Sequence, residues 1–260
     1  MTGPVQPWSR TRLLTALAAA VVAALLLLAG LGYAVYSMVV PSRPGGPVAT
    51  LPRLLSRDEM AAAPMLTVPR AAARPTAPAE VPALTITVPP ATRPGSAGVP
   101  TGYPHTPEGA VGQLAAIETI VLPAMSVPVA GAVHDAWALP GAVPVADWEL
   151  TGAVRAFLAA AGTEALDPSS YVMVEPTAGL VKGSDGPDWV VVCVLVEVRA
   201  RIVTEAAMGW GHCSRMQWAG DRWMIAAGPP PAPAPSTWPG SQASVAAGWH
   251  AWTAVGVGER

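Results

Sequence analysis

Asparagine is missing from the 260 residues, and lysine occurs once, as Lys182. Both are biases of composition and carry no chemistry by themselves. Charge is scarce. Asp, Glu, Lys and Arg make up 12% of the chain, about half of the roughly 25% usual in soluble domains. The net charge is -2, so the chain lacks the basic surplus that nucleic-acid binding requires, and no direct nucleic-acid partner is expected. Only two cysteines occur, Cys193 and Cys213. They form neither a C-x-x-C pair nor part of a Cys/His ligand set, so no zinc site is expected. A P-loop and a G-x-G-x-x-G fingerprint are both missing, which argues against a nucleotide-driven motor and a dinucleotide enzyme. No G-x-S-x-G elbow occurs either. No cofactor, metal or catalytic residue is therefore expected, and the chain reads as a non-enzyme.

What the sequence does have is proline (30 residues), glycine (25), tryptophan (10) and one long apolar run. Residues 13–40 carry no charge and exceed the ~20 residues that span a bilayer. A cleaved signal peptide would have an apolar core of only about 7–15 residues. The run is therefore expected to be a retained transmembrane helix. Residues 1–12 then form a short cytoplasmic tail, and the rest of the chain is extracytoplasmic. The implied location is the cell membrane, single-pass, with the lipid bilayer as one partner.

Residues 41–102 are rich in proline, which supports neither a helix interior nor a long ladder. They are expected to form an extended spacer, with Thr85 to Val88 able to dock as an edge strand. The folded part is expected over 103–228. Thr106 caps a helix with Pro107 in its first turn and Glu108 at its positive end. Ala110, Leu114, Ile117 and Val121 give that helix a buried face. A looser segment follows, with Trp137, Pro140 and Pro144. A second helix, capped by Asp147, carries Leu150, Val154, Phe157 and Leu158 and stops at Gly162. Beyond it the pattern is strand. Residues 171–174 form a short one, interrupted by Pro176. In residues 189–203, Val190, Val192, Val194 and Val196 share one face. Val191, Cys193 and Leu195 share the other, which turns polar at Glu197, Arg199 and Arg201. Residues 208–218 and 223–227 form a hairpin across a turn at Ala219-Gly220-Asp221-Arg222. Residues 229–260 form a Pro-rich, Trp-bearing tail. The fold class is α+β: an N-terminal transmembrane helix, a Pro-rich spacer, then two helices packed on a curved antiparallel sheet.

This order of elements, ending in Trp218-Ala219-Gly220-Asp221-Arg222-Trp223-Met224-Ile225, resembles the cystatin-like cone of nuclear-transport-factor-two-like domains. Joined to one N-terminal membrane helix, it is similar to the bitopic scaffold subunits of conjugation and type IV secretion machinery. The Thr106-Pro107-Glu108-Gly109-Ala110-Val111 entry and the hairpin from Gly211-His212-Cys213 to Trp223-Met224-Ile225-Ala226 are also similar to uncharacterised membrane proteins of integrative conjugative elements. The resemblance implies a non-catalytic assembly subunit whose partners are other envelope-complex proteins and copies of itself. The alternative is a binding module that holds a lipid or other apolar ligand in a cone-shaped pocket between the two helices. An isomerase-type enzyme would need a buried carboxylate in that pocket; Tyr171, Asp185, Asp188 and Glu197 are candidates for such chemistry, and a solvated strip is the preferred reading of them.

Cys193 and Cys213 fall opposite each other if the hairpin centres near Val203, which makes them a candidate disulfide; two buried free thiols are the other reading. His134 precedes Asp135 directly, which does not orient the imidazole. His212 and Cys213 point to opposite faces of a strand. Trp238, Trp249 and Trp252 in the tail are candidate partner-binding residues, as are Glu197, Arg199 and Arg201.

Overall fold

The computed structural model describes residues 55–202 and 204–254. The expected cytoplasmic tail (1–12), the transmembrane segment (13–40) and the first part of the spacer (41–54) lie outside the described residues, as does the end of the tail (255–260). Among the described residues no helix is long and apolar enough to cross a membrane. The chain from Leu55 onward forms one compact unit.

The elements in chain order are α1 (Arg57–Ala62), β1 (Thr85–Val88), α2 (Pro107–Ala124), α3 (Val127–Trp137), α4 (Glu149–Ala161), β2 (Tyr171–Ser184), β3 (Trp189–Arg201), β4 (Glu205–Ala219), β5 (Arg222–Ile225), α5 (Gln242–Ala246) and β6 (His250–Ala254). Six strands form one curled sheet in the order β1-β6-β2-β3-β4-β5. Every neighbouring pair is antiparallel except β1 with β6. The protein is α+β, with helices on an antiparallel-rich sheet.

Strand β3 organises the packing. Residues 189–196 are all buried, and a continuous apolar run of this kind marks a strand covered on both faces. On one face Val190, Val192, Val194 and Val196 join Leu114, Ile117 and Val121 of α2 in the main core. On the other, Cys193 and Leu195 pack with Cys213 and Trp249, and Trp189 and Val191 pack with Ala61 and Ala226. The helices cover the first face. Two extended segments, residues 55–80 and 229–249, contribute the residues that cover the second.

This arrangement corrects three expectations. From residue 55 the Pro-rich region is not a free spacer: Ala61 is fully buried and accepts hydrogen bonds at its carbonyl from Lys182 Nζ (2.7 Å) and the Ala232 amide (2.9 Å). The segment with Trp137 is helical, because Ser126 caps it and Pro128 sits in the first turn, where no intrahelical donor is lost. The weak strand at 171–174 runs on to Ser184, and its ladder with β3 absorbs Pro176 as a register shift between Pro176 and Ala178.

Proline supplies a carbonyl but no N–H, so Pro-rich covers carry surplus acceptors. One tryptophan indole in the C-terminal cover meets part of it, and two others donate to carbonyls of the segment 90–104. Trp137 Nε1 donates to the Ser96 carbonyl (3.0 Å), Trp223 Nε1 to Pro104 (3.0 Å) and Trp249 Nε1 to Pro235 (3.1 Å). Strand β4 lets the C-terminal cover approach closely. A Cβ on Gly209 would lie 1.8 Å from the Thr237 carbonyl oxygen, and one on Gly211 would lie 2.9 Å from that of Pro235.

Two substitutions test this second cover. Trp249→Ala is expected to lower unfolding stability by about 3–5 kcal/mol, the cost of emptying a buried aromatic site. Gly209→Ala is expected to destabilise by displacing the cover. Denaturant unfolding followed by far-UV circular dichroism measures both, and wild-type stability in either variant would show that the cover does not hold the sheet.

Candidate functional site

The described residues hold two buried polar centres, one on each face of the sheet. On the helix face, Glu118 stands in the middle of α2 on the same stripe as Leu114 and Val121, and it is fully buried. His212 faces it from β4. The partners of β3 and β4 alternate so that Trp210, His212, Ser214 and Met216 oppose Val196, Val194, Val192 and Val190. Nδ1 of His212 lies 2.8 Å from Oε1 of Glu118. Nε2 of His212 lies 3.9 Å from Oε2 of Glu149, a half-exposed residue in the first turn of α4. The Trp210 ring stacks on the imidazole at 5.3 Å between centroids.

Burial pushes the Glu118 carboxyl well above its ordinary value and pushes the His212 imidazole down, with the Glu149 carboxylate pulling it partly back up. Beside His212 and Glu149 is a cavity of about 30 Å³, walled by Trp148, Arg215 and prolines 229–231. That is room for water rather than for a substrate.

On the opposite face Arg215 is 4% exposed and pairs with Asp58 of α1 at 2.5 Å. Its guanidinium lies over the Trp189 ring, as does that of Arg57, which in turn pairs with Asp185. α1 is thus held to the sheet by charge as well as by Ala61. Farther along this face Cys193 and Cys213 are joined by a disulfide at directly opposed positions. Met65 covers it, with Sδ 3.6 Å from Cys213 Sγ. Met65 also lines an apolar groove of about 670 Å³ between the two extended covers, with Leu66 and Met208 exposed along it.

The residues singled out as partner-binding divide. Trp249 is buried in the second core and is unavailable to a partner. Trp238 is half-buried and its amide donates to the Ala72 carbonyl. Trp252 is half-buried against the main core, opposite Ile86 of β1. The tail folds back: Trp249 and Trp252 pack against the sheet, and the Trp238 amide bonds the Ala72 carbonyl. Glu197 and Arg199 pair with each other at 2.5 Å, and Arg201 is exposed farther along β3. Asp185 and Asp188 are exposed at the turn before β3 and pair with Arg57 and His105. His134 bonds the Val143 carbonyl at 2.8 Å.

Sequence reasoning passed over Glu118. The signal was there, an acid four residues after Leu114 on the apolar stripe of a helix. Its partner is 94 positions away, a separation that local pattern does not bridge. Set against family models, curated proteins and solved structures, the chain matches none of them.

The disulfide closes a loop of sequence separation 20. Replacing both cysteines, Cys193→Ala with Cys213→Ala, is expected to lower stability by about 2–4 kcal/mol. Equal denaturant midpoints for wild type and double variant would show that the bridge adds nothing to the folded state.

Proposed function

We propose that this protein is a non-catalytic, membrane-anchored assembly subunit of an envelope complex, of the conjugation or type IV secretion kind whose scaffold subunits its element order resembles. In this reading the uncharged run at 13–40 is the anchor, the N-terminus is cytoplasmic, and the domain from Leu55 onward stands outside the membrane. The disulfide agrees with that side, where such bonds persist.

The observation that carries the reading is the packed helix face of the sheet. Leu114, Ile117, Val121 and Trp137 of the helices fill it together with β3 valines. In the cone folds that the chain resembles, a chamber at this place would hold a ligand. Here it holds the protein's own side chains, so the domain offers surfaces. The candidate surfaces are the apolar groove with Leu66 and Met208, and the far end of the sheet with Met173, Glu197, Arg199 and Arg201. Single weak contacts would be multiplied by confinement to a membrane and by repeated copies.

The test is affinity purification of the full-length protein from native membranes in mild detergent. Recovery with a transfer ATPase and other membrane subunits is the expected result. Recovery as a solitary monomer would overturn the assembly reading.

A further inference from the structure

His212 ties together two helices and a strand through its two ring nitrogens. Nδ1 meets Glu118 of α2, and Nε2 faces Glu149 of α4. The other surroundings are uncharged or already paired. Val194 of β3 lies opposite, Trp210 stacks on the ring, and prolines 229–231 close the cavity. Arg215 reaches the same cavity from β4 and is paired with Asp58. His134 of α3 stacks obliquely on Trp148 beside the cavity and bonds the Val143 carbonyl.

Among the described residues Glu118 has no solvent contact and its Oε2 has no hydrogen-bond partner. A full carboxylate charge there would be uncompensated on that oxygen, which is costly in a low-dielectric interior. A proton held between Glu118 Oε1 and His212 Nδ1 removes the charge. The second imidazole proton then stands on Nε2, aimed at Glu149.

We propose that Glu118 and His212 form a one-proton lock between α2 and β4, and that Glu149 is the port through which this lock exchanges protons with solvent. Uptake of a further proton makes Nδ1 a donor toward an oxygen that already carries hydrogen, and the 2.8 Å contact loses its acceptor unless the carboxylic acid turns over. Loss of a proton leaves Glu118 a buried carboxylate and turns the Nε2 lone pair toward the Glu149 carboxylate. The first change removes the acceptor; the second keeps the Nδ1–H donation to Glu118 but leaves a net buried negative charge and sets a lone pair against a carboxylate, so both destabilise the pairing. Burial shifts the two groups in opposite directions, each toward its neutral form. Glu118 is raised above 4.5, so its contribution to stability is full below that value and is lost as pH rises through its folded value. His212 is lowered from 6.5, so its contribution is full above that value and is lost as pH falls through its folded value. The lock is closed between the two. This inference does not depend on the assembly reading.

The test uses the full-length protein in mild detergent. Thermal unfolding midpoints are followed across acid and alkaline pH for wild type and Glu118→Gln. The glutamine amide can donate to Nδ1 at any pH, so the alkaline fall of the midpoint is expected to flatten while the acid fall remains. A folded Glu118→Gln with the wild-type alkaline fall would overturn the lock. The surface variant Glu149→Gln gives a second reading that does not require altering the core. Protonation of His212 is expected to quench the stacked Trp210, isolated by subtracting the emission of Trp210→Phe. Glu149→Gln is expected to move the midpoint of that quenching to lower pH. An unmoved midpoint would show that the Glu149 carboxylate is not coupled to His212 and would overturn the proposal.

Discussion

Strand β3 buries eight consecutive side chains, residues 189–196, and the rest of the domain follows from having to cover both of its faces. Three helices suffice for one face, because α2 presents a stripe of leucine, isoleucine and valine across the central strands. Among the described residues the other face receives no full-length helix. It is covered by α1 and by extended Pro-rich chain from both ends of the domain. Such chain cannot satisfy itself, since proline removes donors and leaves carbonyls. Within these covers the Trp249 indole donates to Pro235 and the Lys182 ammonium to Ala61, while the Trp137 and Trp223 indoles donate to Ser96 and Pro104 in the segment before α2.

The same two-sided cover creates the interior in which the polar centres acquire unusual properties. Glu118 and His212 are shifted in opposite directions because neither can reach water, and each is the other's nearest polar partner. Arg215 is held under α1 by Asp58 and by the face of Trp189. Remove the covers and these groups return to solvent, where their pairings would be worth little. The electrostatics of the domain are therefore a consequence of its packing.

The helix face is filled by the domain's own side chains. The cavity beside His212 has the room of a water molecule. Recognition by an outer groove or a strand end needs only exposed side chains held in place. Leu66, Met173 and Met208 are of this kind. They are the features from which the assembly proposal draws its surfaces.

Much of the domain was legible along the chain, wherever the information is local. The helix entry at Thr106, Pro107 and Glu108 depends on capping within one turn. The Ala219 to Arg222 turn and the opposition of Cys193 to Cys213 follow from strand alternation about a single hairpin. The two-faced burial of β3 shows in its unbroken apolar run from Trp189 to Val196. The Trp137 helix was legible too, through Ser126 and Pro128, but its prolines outweighed its cap. What only the tertiary structure decided is where the Pro-rich segments go and what they bury. β1 and β6 pair across 166 positions, Trp249 turns inward, and Glu118 finds His212. Local sequence determines backbone shape through dihedral preference and alternation; a partner distant in sequence is selected only when packing removes water from both groups at once.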